Sequence, residues 1–291
     1  MSESPAPMKT VAVVGKPGPP EEARLAAELA EWLSKRGIEV HFDVDTAKAL
    51  GQDDGLPRGT LPEKVDLVLV AGGDGTLLSV ARMATPRGVP ILGVNLGGLG
   101  FLTELQPDEL FPALENVIAG NYKIEERQTL RVCYRRGDRT LKEYALLNDA
   151  VITKAALARM IDLIVRVDGD MVAKYTSDGL IIATPTGSTA YNLSAGGPIL
   201  DPRMQAFVIA PICPHKMTYR PLVVPGTVQV HVTLGETREE VYLTLDGQVG
   251  YPMEPDDSLI VDTHPCPVRL VRVSGRNFFE VLRRKFRWGE R

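Results

Sequence analysis

The chain has 291 residues, of which 44% are hydrophobic and 24% charged, a composition typical of a globular protein. The formal net charge of −4 argues against a general nucleic-acid-binding protein, because such proteins carry a basic excess. No apolar run approaches the ~20 residues that span a bilayer, so neither nucleic acid nor a membrane is an expected partner.

The N-terminus and the cysteines point to the cytoplasm. The first ten residues lack the basic stretch and apolar run of a signal peptide. Cys133, Cys213 and Cys266 are odd in number and far apart, which argues against disulfides and favours a reducing compartment. Two segments, "CPH" and "HPC", place a Cys and a His two positions apart, but a zinc site would need ligands from separated loops. Structural cysteines and loop histidines are therefore favoured over zinc.

The first part of the chain alternates strand-like and helix-like segments. Between positions 44 and 65 it contains a loop rich in Gly, Asp and Pro. Such alternation is typical of an α/β domain with a doubly wound parallel sheet, which we assign to residues 1–124. The strands are expected at 11–16, 38–44, 65–70 and 89–95, and the helices at 19–37, 75–84 and 107–120.

The pattern changes to short strands after about position 122. Hairpins are predicted around Gly137-Asp138 and Asp168-Gly169, so residues 125–266 should form a mostly antiparallel β domain. The last segment, "NFFEVLRRKFRWGER", predicts a helix, and we expect residues 267–291 to pack back on the N-terminal domain. Its basic end is interpreted as a solvated C-terminus that the helix dipole favours.

A glycine-rich turn, "AGGDGTLLSV", follows the buried strand at 65–70. Gly72, Gly73 and Gly75 leave the backbone open to a phosphate, which the N-terminus of the next helix also favours. A carboxylate at Asp74 does not suit bound phosphates, so it either accepts a proton, holds a cation or caps the helix. Leu78 breaks the G-x-G-x-x-G fingerprint, and the P-loop spacing is also absent.

Two further polar segments follow in the β-rich part. Asn148 and Asp149 interrupt an apolar strand in "LNDAVI". They are either an exposed strand end or a pair of side chains that binds the hydroxyls and amides of a nucleoside. The segment at 175–200, "YTSDGLIIATPTGSTAYNLSAGGPIL", concentrates hydroxyls and glycines. This composition favours a ligand-binding loop over an ordinary turn.

These segments together resemble the NAD kinase family. The resemblance rests on "GGDGT", "NLGGLGFLTE", "LNDAVI", "SDGLIIATPTGSTAYNLSAGGPI" and "DGQ", in that order, and runs from about position 65 to the C-terminal tail. "GGDGT" alone also occurs in diacylglycerol and sphingosine kinases, whereas the long Thr/Ser/Gly segment combined with the Asn-acid pair is specific.

The resemblance implies transfer of the terminal phosphate of ATP to the 2′-hydroxyl of the adenosine ribose of NAD. It implies that Asp74 is the general base and that ATP brings a divalent cation, Mg²⁺ or alternatively Mn²⁺, because the loop has no lysine. No residue is assigned as a metal ligand, and a homo-oligomer, a dimer or tetramer, is expected. The implied substrate-binding residues are Gly72, Gly73, Gly75, Thr76, Asn148, Asp149, Arg159, Thr176, Asp178, Thr189, Ala190, Tyr191, Asn192, Leu193, Ser194 and Gln248.

The sequence departs from the family pattern at three positions. Asp149 stands where many relatives have Glu, Ser79 where several have a basic residue, and Gly98 where Asn is frequent. Arg159 fits a surface ion pair equally well. Two other functions remain open: a lipid kinase, which should expose an apolar or basic membrane patch, and a non-catalytic NAD(P) sensor, which needs no base.

Overall fold

A computed structural model of the chain describes residues 8–16, 20–103, 105–273 and 275–289. The chain divides into two compact units, Met1–Glu126 with Val268–Arg291, and Arg127–Pro267. Within the described ranges, we find no helix that is both long and apolar enough to cross a membrane.

The first unit is built on a six-stranded sheet. Its elements up to the second unit are β1 (Thr10–Gly15), α1 (Pro20–Ser34), β2 (Glu39–Phe42), α2 (Val44–Ala49), β3 (Leu67–Ala71), α3 (Asp74–Ala84), β4 (Ile91–Val94), α4 (Leu110–Ile118) and β5 (Lys123–Arg127). The second unit contributes β6 (Leu130–Arg136), β7 (Arg139–Leu146), β8 (Asp149–Lys154), β9 (Ile161–Val167), β10 (Asp170–Ser177), β11 (Gly179–Ala183), α5 (Tyr191–Ser194), β12 (Ala206–Ile212), β13 (Leu222–Pro225), β14 (Val230–Leu234), β15 (Val241–Leu245), β16 (Val249–Met253) and β17 (Asp257–Thr263). The chain then returns to the first unit as β18 (Val268–Arg272) and α6 (Phe278–Phe286).

The sheet of the first unit has the strand order β2-β1-β3-β4-β18-β5, and its pairs from β2 to β18 are parallel. Every residue of β3 and β4 is buried, which explains the continuous apolar runs in the sequence. Leu29 and Leu33 of α1 pack in the same core as Leu110 and Leu114. The predicted α/β class of this unit is confirmed.

Helix α2 lies where the sequence predicted only a loop. Asp43 is its N-cap, and the Asp43 carboxylate accepts a hydrogen bond from the Thr46 backbone N–H at 3.1 Å. The helix has six residues, fewer than two turns, so it shows no amphipathic period. A local cap, rather than a periodic pattern, therefore fixes this element.

The second unit contains two antiparallel sheets, with the orders β10-β9-β14-β17-β6-β7 and β13-β12-β11-β8-β15-β16. Their inner faces share one core, in which Phe207 is fully buried. Both predicted hairpins form, and Asp168 and Gly169 take φ angles of 50° and 90° in the turn between β9 and β10. The predicted antiparallel β class is thus confirmed.

The predicted C-terminal helix is α6, and it belongs to the first unit. Asn277 caps it by accepting a hydrogen bond from the Glu280 N–H at 3.0 Å. The rings of Phe278 and Phe286 lie 6.3 and 6.0 Å from the ring of Phe101. The helix therefore supports the loop that follows β4.

Candidate active site

The glycine-rich turn leaves β3 directly into α3. The Gly72 N–H donates to the Val94 carbonyl at 2.9 Å, and a Cβ on Gly72 would lie 2.6 Å from the Thr76 hydroxyl oxygen. At Gly73 and Gly75 the space that a Cβ would occupy is open. The turn thus needs glycine at Gly72 for packing, whereas Gly73 and Gly75 leave the backbone accessible.

The carboxylate of Asp74 is held by the segment at 101–103. Its Oδ2 accepts a hydrogen bond from the Phe101 N–H at 2.9 Å. Its Oδ1 accepts from the Leu102 N–H at 3.1 Å, the Thr103 N–H at 3.2 Å and the Thr103 hydroxyl at 3.1 Å. Gly73 is the N-cap of α3, so the helix-capping interpretation of this carboxylate is not supported.

Asn95, Gly100 and Thr103 take part in this arrangement but were not assigned from the sequence. The Asn95 amide is buried and donates to the Thr103 hydroxyl at 2.9 Å, while its oxygen accepts from the Gly97 N–H. A Cβ on Gly100 would lie 2.2 Å from Asp74 Oδ1, so only glycine fits there. The signal for all three was the "NLGGLGFLTE" motif, whose individual roles were not apparent from the sequence alone.

Positive charge reaches α3 from an unexpected residue. Arg58 donates to the Ser79 hydroxyl at 3.2 Å. The same guanidinium pairs with Asp43, which is buried, and with Asp45 at 3.3 Å. These two carboxylates largely balance the charge that Arg58 brings.

A cavity of about 390 Å³ lies in the second unit at the end of β8. Its lining includes four of the residues that were assigned to substrate binding from the sequence and five that were not. The four are Asn148, Asp149, Ala190 and Tyr191, and the others are Val151, Thr153, Thr244, Asp246 and Gly247.

Asp246 organises one wall of this cavity. It has a φ of 48°, and its carboxylate accepts hydrogen bonds from the N–H groups of Leu147, Asn148 and Asp149 at 2.8 to 3.1 Å. Asp149 is itself only 4% exposed. Its burial, and next the charge of Asp246, raise the pKa of the Asp149 carboxyl to about 7.

Several hydroxyls of the segment at 184–197 hold the loop itself. Thr184 donates to the Leu147 carbonyl at 2.6 Å and accepts from the Gly187 N–H at 3.0 Å. The Ser188 hydroxyl, also buried, donates to the Pro185 carbonyl at 2.6 Å and accepts from the Leu200 N–H at 2.9 Å. Part of the hydroxyl-rich composition is thus structural.

Asn192 is fully buried in the same segment. Its amide group donates to the carbonyls of Ser188 and Pro198, both at 3.1 Å, and its Oδ1 has no hydrogen-bond partner among the described residues. A Cβ on Gly197 would lie 2.0 Å from that oxygen. The side chain therefore fixes the loop, and its predicted role in substrate binding remains a prediction.

The other predicted residues of the second unit lie outside the lining of the cavity. Thr176 donates to Asp162 at 2.6 Å, and Asp178 lies 3.6 Å from Lys154. The Thr189 hydroxyl donates to the Thr186 carbonyl at 3.2 Å. Leu193 is half-buried, whereas Arg159, Ser194 and Gln248 are exposed.

In the parts of the chain that the structure describes, no group of three or more His, Cys, Asp or Glu side chains could hold a metal ion. The Cys–His pairs at 213–215 and 264–266 thus gain no support as a zinc site.

Comparison with known proteins assigns both units to one family. The model of the ATP-NAD kinase N-terminal domain matches residues 11–122, and that of the C-terminal domain matches residues 147–273. The chain belongs to the NAD kinase family. The resemblance stated from the motifs is therefore confirmed, and the chain is a phosphotransferase with an alcohol group as acceptor.

Relatives in this family cover nearly the whole chain. The NAD kinase of Geotalea daltonii is 48% identical and that of Syntrophobacter fumaroxidans 47% identical, over 98% and 97% of this chain and 100% of each relative. A solved structure of yeast NADH kinase complexed with NADH has a TM-score of 0.89 at 25% identity, covering 98% of this chain and 89% of that one. An NAD kinase from Archaeoglobus fulgidus in complex with ATP has a TM-score of 0.76 at 27% identity, covering 96% and 98%.

Proposed function

We propose that this chain transfers the terminal phosphate of ATP to the 2′-hydroxyl of the adenosine ribose of NAD, giving NADP and ADP. Asp74 takes the hydroxyl proton, the oxygen bonds to phosphorus, and the bond to the bridging oxygen of ADP breaks. The observation that carries this proposal is the fixed carboxylate of Asp74 beside an accessible glycine backbone.

The hydrogen bonds of Asp74 support one of its oxygens as the proton acceptor. Among the described residues, Oδ1 receives three hydrogen bonds and Oδ2 receives one. A carboxylate oxygen has two lone-pair sites, so Oδ2 keeps one for a substrate hydroxyl. The backbone donors also fix the orientation of the carboxylate, as a general base requires.

The cavity beside Asn148 supports the binding of NAD. Its lining combines an amide, two carboxylates and hydroxyls with apolar Val151 and Ala190, which suits the hydroxyls and amides of a nucleoside. The proposal keeps the substrate-binding roles that the resemblance implies. Yeast NADH kinase and the Archaeoglobus enzyme, crystallised with NADH and ATP respectively, support dinucleotide and nucleotide binding.

A divalent cation, Mg²⁺ or Mn²⁺, is part of the proposal. The described residues offer no cage for it, so its ligands would be mainly the phosphates of ATP. When bound, the ion neutralises phosphate charge during phosphoryl transfer.

The test is a coupled assay with purified protein, Mg-ATP and NAD, in which an NADP-specific dehydrogenase detects the product. We expect NADP to form in proportion to the ATP consumed. Binding of NAD without consumption of ATP would favour the sensor, and transfer of phosphate to diacylglycerol would favour the lipid kinase. Either result would reject the proposed reaction.

Two properties of the whole protein complete the proposal. We place the reaction in the cytoplasm, because the three cysteines are free in the structure, as a reducing compartment favours. A homo-oligomer, a dimer or tetramer, follows from the resemblance to the family. Light scattering of the purified protein would test the oligomer, since a monomer at micromolar concentration would contradict it.

A further inference from the structure

A second cavity of about 310 Å³ lies in the first unit, between the loop after β4 and helix α6. We call it the loop–helix pocket. Its wall combines exposed glycine backbone with three basic side chains and, among the residues that the structure describes, includes no acidic side chain. The lining residues are Gly97, Gly98, Leu99, Gln106, Arg276, Arg284 and Lys285.

The charges around this pocket leave an excess of positive charge. Arg276 forms a two-pronged ion pair with Glu109, and Arg284 lies 3.3 Å from Glu280. Lys285 has no carboxylate within ion-pair distance among the described residues, and its Nζ lies 5.0 Å from the centre of the Phe101 ring. The ammonium group is thus available to an anion.

The helix dipole does not account for this arrangement. A dipole favours cations in the last turn, where Arg283, Arg284 and Lys285 lie. Arg276, however, precedes the helix, and it faces the same cavity as the two cations of the last turn. Gly98 adds bare backbone to the lining, with open space where a side chain would project.

The same loop connects the pocket with Asp74. Its residues 97–99 line the pocket, while Phe101 donates its N–H to Asp74 Oδ2 and Gly100 packs against the carboxylate. An anion in the loop–helix pocket would therefore lie on the loop that holds the proposed base. Guanidinium and ammonium groups beside open backbone suit phosphate oxygens.

We propose that the loop–helix pocket binds the phosphate chain of the phosphoryl donor. This inference rests on the proposed function and assigns a phosphate subsite to Lys285, Arg284 and Arg276. A nucleoside triphosphate and a free inorganic polyphosphate share this chemistry. The experiment therefore includes a probe for each.

Direct binding is tested by calorimetry with sodium tripolyphosphate, which has no nucleoside. We expect Lys285→Gln and Arg284→Gln each to weaken binding, Lys285→Gln by about tenfold, as for loss of a charge-assisted contact. The matched control is Arg283→Gln, which removes the same charge from the same helix outside the lining. The control should bind within about twofold of the unmodified protein, and thermal unfolding should verify that all variants fold.

Initial rates then identify the source of the phosphate chain. Lys285→Gln should raise the KM for ATP while the KM for NAD stays unchanged, and tripolyphosphate should compete with ATP. The phosphate subsite would be rejected if Lys285→Gln bound tripolyphosphate as tightly as the unmodified protein. It would also be rejected if Arg283→Gln lost as much tripolyphosphate affinity as Lys285→Gln. Binding of tripolyphosphate without competition against ATP would overturn its assignment to the donor. Failure to form NADP would instead reject the proposed function, since calorimetry reads the pocket without turnover.

Discussion

The carboxylate of Asp74 receives its hydrogen bonds from a segment 27 to 29 residues further along the chain. Asp74→Asn keeps the size of the side chain but removes the proton acceptor. We expect kcat to fall by ~10²–10⁴-fold, the usual contribution of general-base catalysis, with a modest change in NAD affinity.

Steady-state kinetics with NAD and ATP measure this effect, and thermal unfolding serves as the control. An asparagine must turn its NH₂ group toward either solvent or the 101–103 donors, so some loss of stability is expected. Near-normal turnover in a folded variant would reject Asp74 as the base.

Asn148 lines the cavity of the second unit and is half-buried. Replacing it with Ala should weaken NAD binding by roughly 1–3 kcal/mol if its amide pairs with buried groups of the dinucleotide. Calorimetry with NAD alone measures the change. Asn121→Ala, at an exposed position of the first unit, is the matched control and should leave the affinity unaltered. Equal affinities for all three proteins would make Asn148 purely structural.

The buried carboxyl of Asp149 makes stability depend on pH. Its pKa is raised to about 7, above that of an unfolded aspartate, so its contribution to stability is present at low pH and is lost as the pH rises through 7. Raising the pH from 5 to 8 should therefore lower the free energy of unfolding by roughly 2–3 kcal/mol through this one group.

Urea unfolding of the unmodified protein and Asp149→Asn at both pH values isolates this effect. Carboxylates whose pKa is lowered, such as Asp201 and Asp257, act in the opposite sense but are common to both proteins. The difference between the two proteins should therefore shrink or reverse as the pH rises. A difference that is independent of pH would contradict the raised pKa.

At the scale of elements, helix α6 supports the loop of the proposed base through the ring of Phe101. Phe286→Ala removes one of the two rings that contact Phe101, and Phe286 is half-buried. We expect a loss of about 1–2 kcal/mol of stability, less than for a fully buried Phe. A larger relative fall in kcat than in the affinity for NAD should accompany it, because the donors to Asp74 would be less firmly placed.

The matched control is Phe279→Ala on the same helix, where the side chain is 50% exposed. It should leave kcat nearly unchanged. If both variants lose kcat equally, α6 acts only through general stability and not through the loop.

The elements with a clear period or turn signal were predictable from the sequence. The signal for each of these elements lies in residues close together in the sequence. They are the apolar face of α1, the buried strands β3 and β4, and the Asp168-Gly169 turn. The short helix α2 was missed because its signal is one capping carboxylate. The partners of Asp74 and the loop–helix pocket were not predictable, since they join residues that are distant in sequence. From the sequence, the basic end of the tail was explained by the helix dipole alone. In the structure, Arg284 and Lys285 also line a cavity together with Arg276.

At the scale of the whole molecule, residues predicted to bind substrate occur in both units. Adenosine or AMP would use only part of these groups, whereas NAD offers two nucleosides. Because binding energy from remote parts of a substrate improves positioning at the reacting hydroxyl, we expect kcat/KM for NAD to exceed that for adenosine by at least ~100-fold. Initial-rate measurements with each acceptor at fixed Mg-ATP test this. Comparable values for the two acceptors would contradict the assignment of the polar residues to NAD.

The path of the chain also bears on how the protein is made. Strand β18 lies next to β4 in the first sheet, yet it follows the entire second unit in the sequence. On the ribosome, the second unit is therefore synthesised before the first sheet receives β18 and before α6 reaches Phe101. A nascent chain that ends before β18 carries Asp74 and its loop without the aromatic support of α6. Translation order alone thus delays completion of the first unit until the second has emerged.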